Sequence, residues 1–178
     1  MPPKQRSFVL WFTGLPSSGK TTLADSVYRW LKRYGYKVER LDGDSIRKVF
    51  PQTGFDKKSR NEHIRRVGYI ASILERNGIT VIASFVSPYR ESRDFVREIC
   101  KHFIEVHVVA PNEVCEKRDV KGLYHRARSG EITNFTGVND PFEEPLKPEL
   151  VVRTDTKSKR ACVRKITGYL RQRYKIKP

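Results

Sequence analysis

Residues 14–21, with the sequence GLPSSGKT, fit the pattern G-x-x-x-x-G-K-[ST] that folds a backbone loop around a phosphate group. The pattern is informative when a strand precedes it and a helix follows it, and both flanks are present here. Residues 7–13 form an apolar run rich in β-forming side chains, and residues 21–33 carry apolar side chains at helical spacing. The chain is therefore predicted to fold around a strand–loop–helix unit that binds a nucleoside triphosphate.

The chemistry of this loop assigns roles to its residues. Gly14 and Gly19 let the backbone wrap a phosphate so that successive N–H groups point inward, and the following helix adds the positive end of its dipole. We expect the Lys20 ammonium to reach the β- and γ-phosphates and to act in catalysis. We expect the Thr21 hydroxyl to lie where Mg²⁺ binds.

The order of the remaining elements indicates an α/β fold. Strands are predicted at residues 7–13, 37–41, 80–86, 103–110 and 150–153, and helices at residues 21–33, 59–76, 91–102, 112–118 and 159–174. Ser59 is expected to begin the second helix, because Glu62 follows it at capping-box spacing. This alternation predicts a parallel five-stranded sheet with helices on both faces.

The length of 178 residues predicts a single domain spanning 1–178. Residues 119–148 stand outside the alternation, because they are polar and rich in Gly and Pro. A long excursion of this kind within one domain is typical of a functional segment, and we expect it to act as a lid.

The net charge of +16 favours anionic ligands, either phosphorylated small molecules or nucleic acid. More than half of the excess lies after Asp155, where nine Lys and Arg residues occur without an acidic one. We expect residues 159–174 to form a packing helix with a solvated basic face. Binding to nucleic acid is the less favoured reading, because few aromatic residues are interleaved with these charges and no RNA-binding motif is present.

Other features bear on cellular context. No apolar stretch approaches the roughly 18 residues needed to span a membrane, so no membrane partner is expected. The three cysteines, Cys100, Cys115 and Cys162, are far apart and show no metal-ligand spacing. These observations predict a cytoplasmic protein with reduced thiols.

The loop alone does not identify the reaction in which the nucleotide is used. The N-K-x-D motif of GTPases is absent, and the strand at residues 80–86 leads into SPYR rather than ending in the Asp of a typical ATPase. The carboxylates Asp42 and Asp44 instead follow the strand at residues 37–41. Small kinases often place a carboxylate near both the metal and the acceptor hydroxyl, and Asp42 and Asp44 could serve in this way. The alternative interpretation is that Asp42-Gly43-Asp44 is a plain turn.

Six segments, in order from about residue 8 to 155, resemble the adenylylsulfate kinase family of P-loop kinases: GLPSSGKTT, LDGDSIR, GFDKKSRNEHIRR, FVSPYR, VCEKRDVKGLYHRARSGEITNFTG and DPFEEPLKPEL. The K-G-L-Y and N-F-T-G segments are specific to this family among small P-loop kinases. The resemblance implies a Mg²⁺-dependent enzyme of sulfate assimilation. It would transfer the γ-phosphoryl group of ATP to the 3′-hydroxyl of adenylylsulfate, giving 3′-phosphoadenylylsulfate. The family also commonly forms homodimers.

Matching the motifs position by position implies the following site residues. For ATP they are Gly14, Ser17, Ser18, Gly19, Lys20, Thr21 and Thr22, with Arg118 and Lys157 near the base; for the acceptor they are Asp44, Ser45, Arg47, Phe55, Arg60, His63, Val86, Ser87, Lys121, Asn134 and Phe135. Phe55 and Phe135 are expected to clamp the adenine of adenylylsulfate, and Asp44 is expected to serve metal and acceptor together. Ser87 lies at the family's position for a catalytic phosphoserine. We expect Ser87 to hold the substrate instead, because in-line phosphoryl transfer needs positioning rather than a covalent relay.

Three departures from the family pattern fall on the acceptor side. Ser45 and His63 stand where the family has asparagine, and the segment between Arg47 and Phe55 is one residue short. They indicate either a different hydroxyl acceptor on the same scaffold or simple drift, because Ser and His can make some of the hydrogen bonds of Asn. Our hypothesis is that His63 replaces the asparagine's hydrogen bond. If His63 acts protonated, activity should fall as the pH rises through roughly 6 to 7.

Overall fold

A five-stranded parallel sheet forms the centre of the structure, a computed structural model that describes residues 6–50 and 54–176. The strands are β1 (Val9–Thr13), β2 (Val38–Asp42), β3 (Thr80–Ser84), β4 (Phe103–Val109) and β5 (Leu150–Arg153). Their order across the sheet is β2-β3-β1-β4-β5, and every neighbouring pair is parallel. The predicted fold class is confirmed.

Seven helices connect and cover the strands within the described residues. They are α1 (Lys20–Arg33), α2 (Gly43–Val49), α3 (Lys57–Arg76), α4 (Arg90–Ile99), α5 (Asn112–Arg118), α6 (Leu123–Arg128) and α7 (Lys159–Tyr174). None of them is both long and apolar enough to cross a lipid bilayer.

Strand β1 divides the core into two layers, because successive side chains of a strand point to opposite faces. Leu10 and Phe12 pack with α1 and α7, whereas Val9 and Trp11 pack with α3 and α4. All five residues of β1 are buried, which explains why it appears in the sequence as a continuous apolar run rather than an alternating one.

The helix α3 begins two residues before the predicted start. The Asp56 side chain accepts a hydrogen bond from the Ser59 backbone N–H, at 3.0 Å, so Asp56 caps the helix and the assignment of Ser59 as its first residue is wrong. Asp and Ser are comparable N-cap residues, and the earlier of the two has become the cap.

Two short helices, α2 and α6, lie in segments where the sequence analysis predicts no helix. The Asp42 carboxylate accepts hydrogen bonds from the N–H groups of Asp44 and Ser45, each at 3.1 Å, so the Asp-Gly-Asp segment is the capped start of α2. Helix α6 lies inside the segment predicted as a lid. At the other end of the chain, α7 has the predicted bounds.

The order of the strands across the sheet determines where the site lies. Strands β2 and β3 follow β1 on one side and β4 and β5 lie on the other, so a crevice opens at the carboxyl end of β1. The loop at residues 14–21 leaves β1 at this edge.

Gly68 allows α3 and α4 to pack closely, and its replacement tests this contact. A Cβ atom at Gly68 would overlap Val96 Cγ2 and lie 3.1 Å from Cγ1 of the same buried residue. Gly68→Ala is therefore expected to lower the free energy of unfolding by about 1–3 kcal/mol through overpacking, measured by urea denaturation. Gly168→Ala in α7 is the matched control, since nothing lies within 4 Å of its added Cβ. It is expected to stabilise by about 0.5–1 kcal/mol, and equal effects of the two substitutions would contradict the close-packing account.

Candidate active site

The phosphate loop has the backbone geometry that its glycines permit. Gly14 has φ of 148° and Gly19 has φ of 97°, both in the region that L-residues avoid. A Cβ atom at Gly14 would also overlap the carbonyl oxygen of Val108, which shows how closely the loop passes over β4. The loop is therefore built tightly onto the sheet edge.

Lys20 lies in the first turn of α1 and is buried. Its ammonium donates to two carbonyl oxygens of the loop, that of Gly14 at 3.1 Å and that of Leu15 at 2.7 Å. Burial lowers the pKa of Lys20 to about 8. The ammonium is thus desolvated within the loop, where a phosphate would interact with it strongly.

Residues from distant parts of the chain hold other carbonyls of the loop. The Tyr124 hydroxyl, in α6, donates to the Pro16 carbonyl at 3.2 Å, and the Thr154 hydroxyl, after β5, donates to the Ser18 carbonyl at 2.7 Å. Within the loop itself, the Ser18 N–H donates to the Leu15 carbonyl at 3.2 Å. Side chains from three parts of the chain therefore hold the carbonyl oxygens of the loop in place.

Arg118 at the end of α5 lies beside the same loop. Its guanidinium donates to the Ser17 carbonyl at 3.5 Å and to the Thr154 carbonyl and hydroxyl at 2.7 and 3.1 Å. Lys157 is exposed just beyond. The structure therefore brings Arg118 to the phosphate loop, and the predicted contact of Arg118 and Lys157 with the nucleotide base stays a prediction.

The residues predicted to hold magnesium carry oxygen atoms of the kind that this ion binds. The Thr21 and Ser84 hydroxyl oxygens lie 3.4 Å apart, and the exposed Asp44 carboxylate forms an ion pair with Lys121 of the lid segment. Hydroxyl and carboxylate oxygens are the hard ligands that Mg²⁺ prefers, usually together with phosphate oxygens. Among the described residues no group of three or more His, Cys, Asp or Glu side chains could hold a metal on its own. A magnesium ion here would therefore need the nucleotide's phosphates as ligands.

Ser87 follows β3 in a strained and buried conformation. Its φ is 40°, and its side chain accepts a hydrogen bond from Trp11 Nε1 at 3.1 Å and donates to Thr13 Oγ1 at 3.0 Å. Thr13 Oγ1 in turn donates to the carbonyl oxygen of Val86 at 2.7 Å. The Ser87 hydroxyl is thus bonded to residues of β1, and strained backbone of this kind clusters at active sites and ligand clamps.

Arg60 joins the start of α3 to the lid segment. It donates to the carbonyl oxygen of Phe55 at 2.6 Å and to the carbonyl of Asn134 and the hydroxyl of Thr136, and it lies 3.5 Å from a carboxylate oxygen of Asp140. The buried guanidinium is therefore already used to hold protein groups. Asn134 has φ of 56°, so this contact fixes another left-handed turn.

The two aromatic rings that the resemblance pairs lie in different environments. The Phe55 side chain is 56% exposed and carries the Arg47 guanidinium 4.4 Å from its ring centroid. Phe135 is 8% exposed, and its ring packs edge-on against Tyr124 with a centroid distance of 5.0 Å. The predicted adenine clamp stays a prediction, with Phe55 the more accessible half.

His63 and Ser45 occupy the two positions where asparagine is replaced. His63 is buried, with its ring 6.1 Å from that of Phe85, and burial together with the charges of Arg47 and Arg66 lowers its pKa to about 4. A histidine with this pKa is neutral near pH 7, so the fall in activity between pH 6 and 7 is not expected from His63. The Ser45 hydroxyl lies 3.4 Å from the Asp42 carboxylate, so it helps to cap α2. The third departure, the short segment before Phe55, includes residues outside the described part of the chain.

Sequence reasoning missed several residues that organise this edge. Tyr124, Asp140 and Thr154 each connect the lid segment or the last strand to the site. Two of them lie in segments that carried the resemblance: Tyr124 ends K-G-L-Y, and Asp140 begins D-P-F-E-E-P. Thr154 begins residues 154–157, which the resemblance places at the family's loop for the ATP base, but the sequence did not indicate its hydrogen bond to the phosphate loop.

Comparison with known proteins gives one consistent family. The family model described as adenylylsulphate kinase matches residues 6–153. A relative from Halothermothrix orenii named adenylyl-sulfate kinase is 50% identical over 170 residues, which span 95% of this chain and 92% of the relative.

Solved structures agree with this family. The Mycobacterium tuberculosis APS kinase CysC, solved in complex with AMPPNP and APS, superposes with a TM-score of 0.88 at 36% identity, over 93% of this chain and 98% of that one. A hexameric APS kinase from Thiobacillus denitrificans superposes with a TM-score of 0.74 at 29% identity, over 99% of this chain and 31% of that one.

The buried His63 predicts a specific acid sensitivity. The pKa of His63 is about 4 in the folded protein and 6.5 in the unfolded chain, so the folded state favours the neutral imidazole. The contribution of His63 to the free energy of unfolding is therefore complete above pH 6.5 and declines as the pH falls toward 4. At pH 5 the loss attributable to His63 is about 2 kcal/mol. His63→Asn is therefore expected to lose less stability than the wild type between pH 7 and pH 5, measured by urea unfolding at each pH. Equal losses in the two proteins would contradict the assignment, and His125→Asn, an exposed position in α6, is the control.

Proposed function

The chain belongs to the adenylylsulfate kinase family, and from this premise we propose that it transfers the γ-phosphoryl group of ATP to the 3′-hydroxyl of adenylylsulfate. The observation that carries the proposal is the meeting of two parts of the chain at one sheet edge. The phosphate loop leaves β1, and Thr21 at its end lies 3.4 Å from Ser84, whose strand leads into the Ser87 turn on the acceptor side. Donor and acceptor would thus meet in the crevice at the carboxyl end of β1.

On the donor side, the loop's N–H groups and Lys20 would bind the β- and γ-phosphates. Charge builds on the transferring phosphoryl group, and the desolvated ammonium of Lys20 is placed to stabilise it. Thr21 and Asp44 would hold Mg²⁺ together with phosphate oxygens, and the bound cation would neutralise charge on the β- and γ-phosphates. Arg118 borders the loop, and together with Lys157 it is proposed to contact the nucleotide base.

On the acceptor side, phosphate and sulfate groups call for fixed cations. Arg47 and Lys121 are proposed to supply them, since their head groups adjoin Phe55 and Asp44 respectively. The Lys121–Asp44 pair joins the lid segment to α2. In this proposal, a group of the substrate replaces the present partner of Arg47 and that of Lys121 when the acceptor binds. Phe55 would stack on the adenine, with Phe135 completing the clamp from the lid.

The remaining acceptor residues are proposed to shape the site rather than to react. The hydroxyl of Ser87 is bonded on both sides, which supports a positioning role over a phosphoserine intermediate. Arg60 would hold the Asn134–Thr136 turn for the acceptor, and Val86 would contribute through its backbone. His63 would act as a neutral hydrogen-bonding group, and Ser45 as part of the α2 cap.

For the assembly and location of the protein, we propose a cytoplasmic homo-oligomer, with the homodimer as its simplest form. The relative from Thiobacillus denitrificans is hexameric, although this chain spans only 31% of that chain. Tyr69 and Ile73, one turn apart on α3, are exposed apolar side chains that a second copy could cover. The three cysteines are free and buried, which agrees with a reducing compartment.

The decisive experiment measures product formation from ATP with adenylylsulfate and with a panel of other nucleotides and small alcohols. We expect kcat/KM to be highest for adenylylsulfate. A higher value for another acceptor would favour the alternative, a P-loop kinase whose specificity Ser45 and His63 have altered.

Lys20→Met tests the donor side in the same assay. We expect turnover to fall by about 10²–10³-fold, because a preorganised charge at the transferring group is lost. Stability at pH 7 should change little, because removing a buried ammonium offsets the loss of its hydrogen bonds to the Gly14 and Leu15 carbonyls. The cost of burying the ammonium is present below pH 8 and disappears as the pH rises from there toward 10.5. Lys32→Met, an exposed position on the same helix, is the matched control. Turnover within a few-fold of wild type for Lys20→Met would refute the assignment of the phosphate loop.

A further inference from the structure

Arg93 is a buried cation that the proposed reaction does not use. It lies in α4, is 2% exposed, and its three guanidinium nitrogens point to three different parts of the chain. Nε forms an ion pair with Glu105 at 2.9 Å, one terminal nitrogen donates to the Ser87 carbonyl at 2.5 Å, and the other donates to the Glu143 carbonyl at 2.5 Å. We infer that Arg93 is a positioning residue that fixes the Ser87 turn against the returning end of the lid segment and so sets the affinity for the acceptor.

The Ser87 contact holds a strained turn from its backbone side. Trp11 and Thr13 bind the Ser87 side chain from β1, whereas Arg93 binds its carbonyl oxygen from α4. A non-glycine residue with φ of 40° persists only when its surroundings over-determine it, at a strain of about 1–3 kcal/mol. Without Arg93 the carbonyl would lose a charge-assisted hydrogen bond, and the turn could relax toward an ordinary conformation.

The Glu143 contact attaches the end of the lid to the same turn. Glu143 N–H donates to the Pro88 carbonyl at 2.8 Å, and its carboxylate accepts from the Arg90 N–H at 2.8 Å. Three residues earlier, Asp140 accepts from the Tyr89 hydroxyl at 2.9 Å and pairs with Arg60. Residues 87–90 and 140–143 therefore form one unit, which continues through Arg60 to Phe55 and the Asn134–Thr136 turn.

The charge of Arg93 is balanced inside the protein, so it is not available to a substrate. Glu105 in β4 lies between Arg93 and Arg97, and the Arg97 guanidinium also binds Glu149 at 2.5 Å. The Arg97 side chain is half-buried. Its ion pairs and hydrogen bonds go to Glu105 and Glu149, and none of them goes to Ser87 or Glu143. This difference separates the two arginines: both serve the ion-pair network, but Arg93 also carries the link to the acceptor side.

The test removes the ion pair as a whole, because Arg93→Met alone would leave a buried, unpaired Glu105 and could unfold the protein. In Arg93→Met/Glu105→Met, apolar side chains replace both charges, a change that is often neutral for stability. This inference rests on the proposed function, so KM and kcat are measured for adenylylsulfate and ATP separately. We expect the KM for adenylylsulfate to rise by about tenfold or more while the KM for ATP stays within about twofold.

Arg97→Met is the matched control, since it takes the other arginine from Glu105 and leaves the Ser87 and Glu143 contacts in place. We expect the control to keep both KM values within about twofold of wild type. If the double variant does not fold, Arg93→Lys replaces it. An ammonium keeps the charge opposite Glu105, but its donors share one nitrogen and cannot occupy the three positions that the guanidinium nitrogens fill. The same rise in the KM for adenylylsulfate is then expected.

The outcomes separate the two proposals. A wild-type protein that does not phosphorylate adenylylsulfate would refute the proposed function itself. An active wild type with a folded Arg93 variant of unchanged KM for adenylylsulfate would overturn only the role of Arg93. Equal increases in both KM values would also overturn it, because they would indicate a general loss of structure rather than a displaced acceptor site.

Discussion

The active-site edge depends on how the carbonyl oxygens of the phosphate loop are satisfied. A loop can present its N–H groups to a phosphate only if its carbonyls have partners elsewhere, because an unpaired buried carbonyl is costly. Here the partners come from Lys20 within the loop, from Tyr124 in α6 and from Thr154 after β5. The geometry of the loop is therefore a property of the assembled domain, although its sequence is local.

Arginine and lysine residues at this edge fall into two groups by what they contact. Arg60 and Arg93 are buried and donate to carbonyl oxygens of turns that border the acceptor side. Arg47 and Lys121 are more exposed, and each lies against a residue proposed to bind substrate or metal, Phe55 or Asp44. The first group holds backbone carbonyls, whereas the second is the one proposed to bind the anionic groups of the acceptor.

The segment predicted as a lid contains a small core of its own. Tyr124, Ala127 and Phe135 pack with Ala110 and Cys115 at the end of β4 and in α5, and Leu15 of the phosphate loop joins them. A displacement of the lid segment would therefore also displace the phosphate loop, because the two share a hydrophobic contact and the hydrogen bond from Tyr124 to Pro16. These contacts connect the acceptor side to the donor side.

The sequence by itself determined the parallel sheet, the phosphate loop and the bounds of α7, because periodicity and the G-x-x-x-x-G-K-[ST] pattern are local signals. It could not determine that Asp56 rather than Ser59 caps α3, or that the Asp-Gly-Asp segment starts a helix, because several local caps compete at each place. The neutrality of His63 and the inward contacts of Arg60 and Arg93 were decided only by the tertiary structure. A residue's pKa and the partners of a long side chain depend on burial and on groups far away in the chain, which no local pattern encodes.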